Sequence, residues 1–78
     1  MTSRVTRIVA EVLGIAAVEI TDDTSPDNTS QWDSMTAVNL VAAIEDEFDI
    51  RLSTAEIVSL RSVATVKEVL SAKGIADA

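Results

Sequence analysis

Apolar residues recur at helical spacing near the start of the chain, and no stretch of the chain alternates as a strand does. The polar residues Thr2 and Ser3 precede this segment, and either can cap a helix there. Gly14 follows it, at the position where a helix commonly stops. The pattern predicts a first helix whose inward face consists of Val5, Ile8, Val9, Val12 and Leu13.

The middle of the chain holds the longest apolar-periodic segment. It predicts a second helix from Ser34 to about Phe48, with Asp33 as its N-cap. Acidic residues crowd the far end of this helix, where they oppose the negative end of the helix dipole. The inward stripe is expected to comprise Val38, Val41, Ile44 and Phe48, widened by Ala37 and Leu40.

A short third helix is predicted by the spacing of Ser53 and Glu56, which is that of a capping box. It should run through Ile57 to Leu60. The preceding segment, Ile50-Arg51-Leu52, is expected to form a short tether between the second helix and this one, with two of its three residues apolar.

Thr65 and Glu68 repeat the capping-box spacing and predict the start of a last helix. It should end at about Lys73, because Gly74 follows. Four residues are expected to face inward here, with the first of them just before the cap: Val63, Val66, Val69 and Leu70.

A long polar connection runs between the first two helices, from about Ile15 to Asp33. Its centre, T-D-D-T-S-P-D-N-T-S-Q, contains the only proline and many turn-forming residues. Ile15, Val18 and Ile20 are expected to pin its first part to the core. Aligned as a calcium-binding loop from Asp23, the segment lacks the required glycine and glutamate, so no metal site is predicted.

These elements predict one all-α domain over residues 1–78, a small bundle of three main helices plus one short helix. A chain of 78 residues is near the lower limit at which a single core suffices. It contains no cysteine and no histidine. A Ser-His-Asp hydrolase is therefore excluded, and neither a catalytic residue nor a metal ligand is predicted.

The net charge of −7 restricts the partners of the chain. Phosphate groups of nucleic acids and anionic membranes are repelled by such a surface, whereas basic protein surfaces are attracted to it. Arg4 and Arg7 interrupt the amino terminus before a signal-type apolar run can form, and no run is long enough to span a membrane. A cytoplasmic monomer is expected, with no nucleic-acid or membrane partner.

Ser34 stands where the polar loop meets the second helix, in the stretch W-D-S-M. A serine there can be a simple cap or first-turn residue. The stretch W-D-S-M-T-A-V-N-L-V-A-A-I-E-D-E-F-D-I, with the closing T-V-K-E-V-L, resembles the acyl carrier protein family over nearly the whole chain. The resemblance implies that Ser34 receives 4′-phosphopantetheine from coenzyme A, through a separate magnesium-using phosphopantetheinyl transferase. The thiol of that arm would carry acyl groups as thioesters.

The resemblance also implies a set of partner enzymes and contacts. The partners would be the transferase, an acyl-loading ligase or transferase, and a ketosynthase or other acyl-processing enzymes with basic docking surfaces. Thr36 and Asn39 stand where housekeeping fatty-acid carriers tend to have acids, which suggests a stand-alone carrier of fatty-acid-like, polyketide or specialised-metabolite synthesis. The residues implied in recognition are Asp33, Met35, Thr36, Asn39, Glu45, Asp46 and Glu47.

The sequence leaves alternatives open for the group that the chain carries and for its role. Facing apolar positions make up a candidate acyl pocket that consists of Val38, Ile44, Ile57, Val63 and Val69. Peptide-synthetase carriers usually have glycines before the serine, and T-S-Q-W-D has none, so an aminoacyl or peptidyl carrier is the less favoured alternative. A different class, an unmodified acidic helical module that binds a basic partner, also fits the charge.

Overall fold

The computed structural model describes residues 3–75, and four α-helices account for most of them. The helices are α1 (Arg4–Leu13), α2 (Ser34–Phe48), α3 (Thr54–Ser59) and α4 (Val63–Ala72). A single 3₁₀ turn, Ala17–Glu19, interrupts the long connection between α1 and α2. No strand occurs within residues 3–75, so the predicted bundle of three main helices and one short one is confirmed.

The first helix begins and ends at the residues that its sequence predicts. Ser3 is the N-cap, and its side chain accepts a hydrogen bond from the Thr6 amide. Gly14 ends the helix with a φ of 72°, a left-handed conformation that glycine adopts without strain. Thr2, the alternative cap, lies outside the described residues.

The second helix also has its predicted bounds. Asp33 is the N-cap, and the helix runs from Ser34 to Phe48. Its end is made by Asp49, which is left-handed at a φ of 53° and donates its amide to the Glu45 carbonyl. Asp is one of the few non-glycine residues that tolerate this conformation.

The start of α4 differs from the prediction. The helix begins at Val63 and not at Thr65, and its N-cap is Ser62. Thr65 is the third helical residue, and its hydroxyl accepts from the Ser62 amide while the Ser62 hydroxyl accepts from the Thr65 amide. A threonine here makes the reciprocal bond that the capping-box pattern assigns to glutamate or glutamine, so the pattern pointed three residues too far along the chain.

The core lies where α1 packs against α2 and α4. Leu40 and Ile44, one helical turn apart, supply the buried face of α2. Two expected core residues are exposed instead: the Val38 side chain is 69% exposed and that of Val18 is 90% exposed. The rest of the predicted α2 stripe does face the core, since Leu40 and Ile44 are buried and Ala37, Val41 and Phe48 pack against it partly buried. The buried apolar residues are Val5, Ile8, Val9, Ala10, Leu13, Ile20, Trp32, Leu40, Ile44, Leu52, Val63, Val66 and Leu70.

Specific contacts hold the long loop against the last helix. The Val63 amide donates to the Thr24 carbonyl at 3.0 Å, and the Ala64 amide donates to the Asp22 carbonyl at 3.1 Å. Lys67 adds an ion pair with the Asp22 carboxylate at 2.7 Å. Thr24 itself is buried, so this part of the loop belongs to the packed body of the protein.

Basic side chains of α1 reach the acidic end of α2. Arg4 and Arg7 lie 3.7 and 3.2 Å from the Glu47 carboxylate, and the Arg4 guanidinium stacks 4.5 Å above the Phe48 ring. These partly exposed pairs contribute little individually. They do place positive charge beside the unfavourable end of the α2 dipole. No helix within residues 3–75 is both long and apolar enough to cross a membrane.

Candidate functional site

Ser34 is the first residue of α2, and its side chain is exposed to solvent. Its hydroxyl makes no hydrogen bond to any residue in the described range 3–75. The loop that precedes α2 and the helix itself therefore present a free hydroxyl at a helix N-terminus. Backbone amides without helical partners and the positive end of the helix dipole both favour a negatively charged group at such a position.

A reciprocal capping box fixes the backbone on both sides of Ser34. The Asp33 carboxylate accepts from the Thr36 amide at 2.9 Å, and the Thr36 hydroxyl accepts from the Asp33 amide at 2.8 Å. The same hydroxyl lies 2.8 Å from the Gln31 carbonyl oxygen, to which it donates. Residues 31–33 are in this way bonded to the first turn of α2.

The box also influences the charge beside Ser34. The hydrogen bond from the Thr36 amide, followed by that from the Thr36 hydroxyl, lowers the pKa of the Asp33 carboxyl below its ordinary value. Asp33 is accordingly ionised at neutral pH, next to the free hydroxyl. A carboxylate here also interacts favourably with the α2 dipole.

An apolar cavity of about 210 Å³ opens between α2 and α3, and it is close to Ser34. Ala37, Val38 and Val41 follow Ser34 by three, four and seven residues, so they continue its face of the helix. Trp32, two residues before Ser34, is 3% exposed and forms part of the wall. The complete lining is Trp32, Ala37, Val38, Leu40, Val41, Ile57 and Leu60.

The candidate acyl pocket from the sequence overlaps this cavity only partly. Val38 and Ile57 line it. Ile44 and Val63 are instead buried in the core, and Val69 packs against the core from α4. Sequence reasoning missed the other five lining residues, among them Trp32, although a lone tryptophan two residues before the serine was a usable signal.

The residues that the resemblance implies in recognition do not form one uniform surface. Met35, Asn39 and Asp46 are exposed. Thr36 is half-buried and is engaged in the capping box. Glu45 accepts from the Leu52 amide at 2.8 Å, which ties α2 to the tether before α3.

Glu47 contacts the two arginines of α1 and so already has partners within the chain. Four of the seven residues therefore have structural contacts of their own, namely Asp33, Thr36, Glu45 and Glu47. Among residues 3–75, no group of acidic side chains is arranged to hold a metal ion.

Comparison with known proteins assigns the chain to a family. The family described as "Phosphopantetheine attachment site" matches residues 3–70. A polyketide-8 synthase acyl carrier protein 2 from Streptomyces avermitilis is 33% identical over 66 residues, which cover 85% of this chain and 76% of that protein. A holo acyl carrier protein from Geobacter metallireducens, solved by NMR, has a TM-score of 0.78 at 25% identity and covers 88% of this chain and 79% of that one.

The chain belongs to the acyl carrier proteins of the phosphopantetheine attachment family. The resemblance deduced from W-D-S-M and the segment after it is thereby confirmed. The cofactor deduced with it, covalently attached 4′-phosphopantetheine, is the group for which the family is described. Members of this family are carriers and not catalysts, and their partners are the transferase and the enzymes that process the acyl group.

Proposed function

We propose that Ser34 is the phosphopantetheine attachment site and that the chain shuttles acyl thioesters between enzymes. The observation that carries this proposal is the exposed, unbonded Ser34 hydroxyl at the first position of α2. A transferase supplies the base that the chain lacks. The Ser34 oxygen bonds to the phosphorus that bears the pantetheine, the pyrophosphate bond of coenzyme A breaks, and adenosine 3′,5′-bisphosphate leaves.

The surroundings of Ser34 fit a phosphodiester. The Ser34 amide donates to no atom of residues 3–75, and it lies at the positive end of α2. The ionised Asp33 carboxylate repels the new charge, but the helix dipole opposes that repulsion. Water reaches the site freely, so the charged group keeps most of its hydration.

The assembly pathway that fits best is polyketide-type. A relative at 33% identity is a polyketide synthase carrier. Thr36 and Asn39 occupy positions that are acidic in housekeeping fatty-acid carriers, and the exposed Met35 and Asp46 remain available to a partner. We expect an acyl-loading enzyme and a ketosynthase, each with a basic docking surface, to bind this side of α2.

Intact mass spectrometry tests the attachment. Incubation of the protein with coenzyme A, magnesium and a broad-specificity phosphopantetheinyl transferase should add about 340 Da. A Ser30→Ala variant is a matched control, because it removes a nearby exposed serine and should still gain the group. A protein that is folded and yet gains no mass contradicts the proposal.

The cavity between α2 and α3 suggests the class of cargo. Its lining consists of apolar side chains apart from the indole nitrogen of Trp32. Its volume of about 210 Å³ exceeds the roughly 150 Å³ of an apolar cavity that holds benzene. We propose that it takes up the apolar part of a saturated acyl chain that folds back from the arm on Ser34.

Fluorescence of Trp32, the only tryptophan, reports on this cargo. An octanoyl thioester on the arm should shift the emission and raise the melting temperature by a few degrees, because a ligand bound only to the folded state stabilises it. An acetyl thioester, too short to fill the cavity, should leave both quantities at the values of the unacylated form. Identical spectra and melting temperatures for octanoyl and acetyl forms would show that the cavity stays empty.

A further inference from the structure

Thr36 makes more contacts with the segment before Ser34 than an ordinary cap partner requires. Its amide binds the Asp33 carboxylate at 2.9 Å. Its hydroxyl accepts from the Asp33 amide and donates to the Gln31 carbonyl, both at 2.8 Å. One side chain therefore holds the peptide groups on both sides of Trp32.

Those peptide groups decide how Ser34 is presented. The Trp32 amide also donates a hydrogen bond to the Thr29 carbonyl at 3.0 Å, and burial fixes the Trp32 side chain. Asp33, by contrast, is exposed, and its main-chain amide is bonded to the Thr36 hydroxyl. Loss of that hydroxyl frees the backbone immediately before Ser34 while Trp32 stays anchored on the far side.

We infer that Thr36 is a positioning residue for the modification of Ser34. Its hydroxyl holds residues 31–33 in the one conformation in which the transferase binds. The inference rests on the proposed attachment at Ser34. In the transfer, the Ser34 oxygen forms its bond to phosphorus, the pyrophosphate bond of coenzyme A breaks, and the hydroxyl proton passes to the base on the transferase. Thr36 takes part in none of these bond changes.

A valine at this position tests the inference, because Thr36→Val removes the hydroxyl at nearly constant volume. Without the hydroxyl, residues 31–33 are held less firmly, so a smaller fraction of the carrier is in the conformation that binds the transferase. The apparent affinity of the transferase for the carrier falls in proportion to that fraction. We expect KM for the carrier in the transferase reaction to rise roughly threefold to tenfold, with kcat retained. Thr36→Ser, which keeps the hydroxyl, should restore KM.

Thr65→Val is the matched control. Thr65 occupies the same third position in the capping box of α4, with an equivalent pair of bonds to Ser62, but it lies in another helix. This variant loses the same kind of cap and should keep the wild-type KM. Thr36→Ala, which removes the same oxygen but has a higher helix propensity than valine, provides a second test if the valine variant does not fold.

The possible outcomes separate the inference from the proposed function. Wild-type protein that gains no mass refutes the attachment itself. Wild-type protein that is modified, together with folded Thr36 variants whose KM is unchanged, refutes the positioning role and leaves the attachment standing. An equal rise of KM in Thr36→Val and Thr65→Val also refutes it, because general loss of stability would then be the cause. A rise confined to the Thr36→Val and Thr36→Ala variants supports it.

Discussion

Replacement of Ser34 by alanine should abolish the gain of about 340 Da and leave the helical fold intact. The first effect is complete because the variant has no oxygen to bond to phosphorus at that position. The second follows because the Ser34 hydroxyl contacts no residue in the range 3–75 and lies in solvent. Alanine also has the highest helix propensity, so the free energy of unfolding should change by no more than about 0.5 kcal/mol.

Two measurements on one sample check this expectation. Intact mass spectrometry after incubation with coenzyme A and transferase reports the modification, and thermal melting followed by circular dichroism reports the fold. Ser30→Ala, treated in parallel, should be modified and should melt like the wild type. A residual mass gain in folded Ser34→Ala protein would move the attachment to another serine and defeat the assignment.

Replacement of Leu40 by alanine should have the opposite outcome. It leaves Ser34 in place but removes most of the free energy of unfolding. Leu40 is 1% exposed and lies among the side chains that join α1 to α2. Truncation of a buried leucine to alanine costs about 2–5 kcal/mol. A domain of this size has a total stability near the lower end of about 5–15 kcal/mol, so the variant should be left with only marginal stability.

Urea denaturation measures this loss, and Met35 offers a matched comparison on the same helix. Met35 is similar in volume to leucine but is 76% exposed. Met35→Ala should therefore shift the denaturation midpoint only slightly, whereas Leu40→Ala should lower it sharply. Equal midpoints for the two variants would mean that the face of α2 that packs on α1 has been misidentified.

The helices were readable from the sequence where a local signal marks their ends. Asp33 and Asp49 bound α2 through side-chain capping and a left-handed backbone, and Ser53 with Glu56 forms the capping box that opens α3. These signals act within four residues, so a single sequence contains them completely. The start of α4 was missed because Thr65 replaces the glutamate that the pattern expects.

The inward face of α2 was deduced only in part: Leu40 and Ile44 were correctly included, but Val38 was included with them. Apolar residues of α2 lie on most sides of the helix, so their periodicity does not select a single buried stripe. Val38 was therefore assigned to the core, although it is exposed at the cavity. Packing against α1 selects Leu40 and Ile44. That selection depends on which helices meet, which local pattern does not encode.

The attachment serine could be proposed from its local motif, whereas its surroundings needed the tertiary structure. Arg7 and Glu47 are 40 positions apart in the chain and meet only because α1 lies beside α2. Glu45 is likewise bonded to the Leu52 amide across the end of the helix. Some acidic side chains that were expected to bind partner proteins are therefore already engaged in contacts within the chain.

The hydrogen bonds between the long loop and α4 affect how readily a protease can cleave the loop. Because Val63 and Ala64 donate to the Thr24 and Asp22 carbonyls, this part of the loop and the first turn of α4 open as one cooperative unit. A cellular protease cannot cleave there without first disrupting that turn. The loop from Asp22 to Thr24 should therefore resist limited proteolysis for as long as the first turn of α4 stays folded.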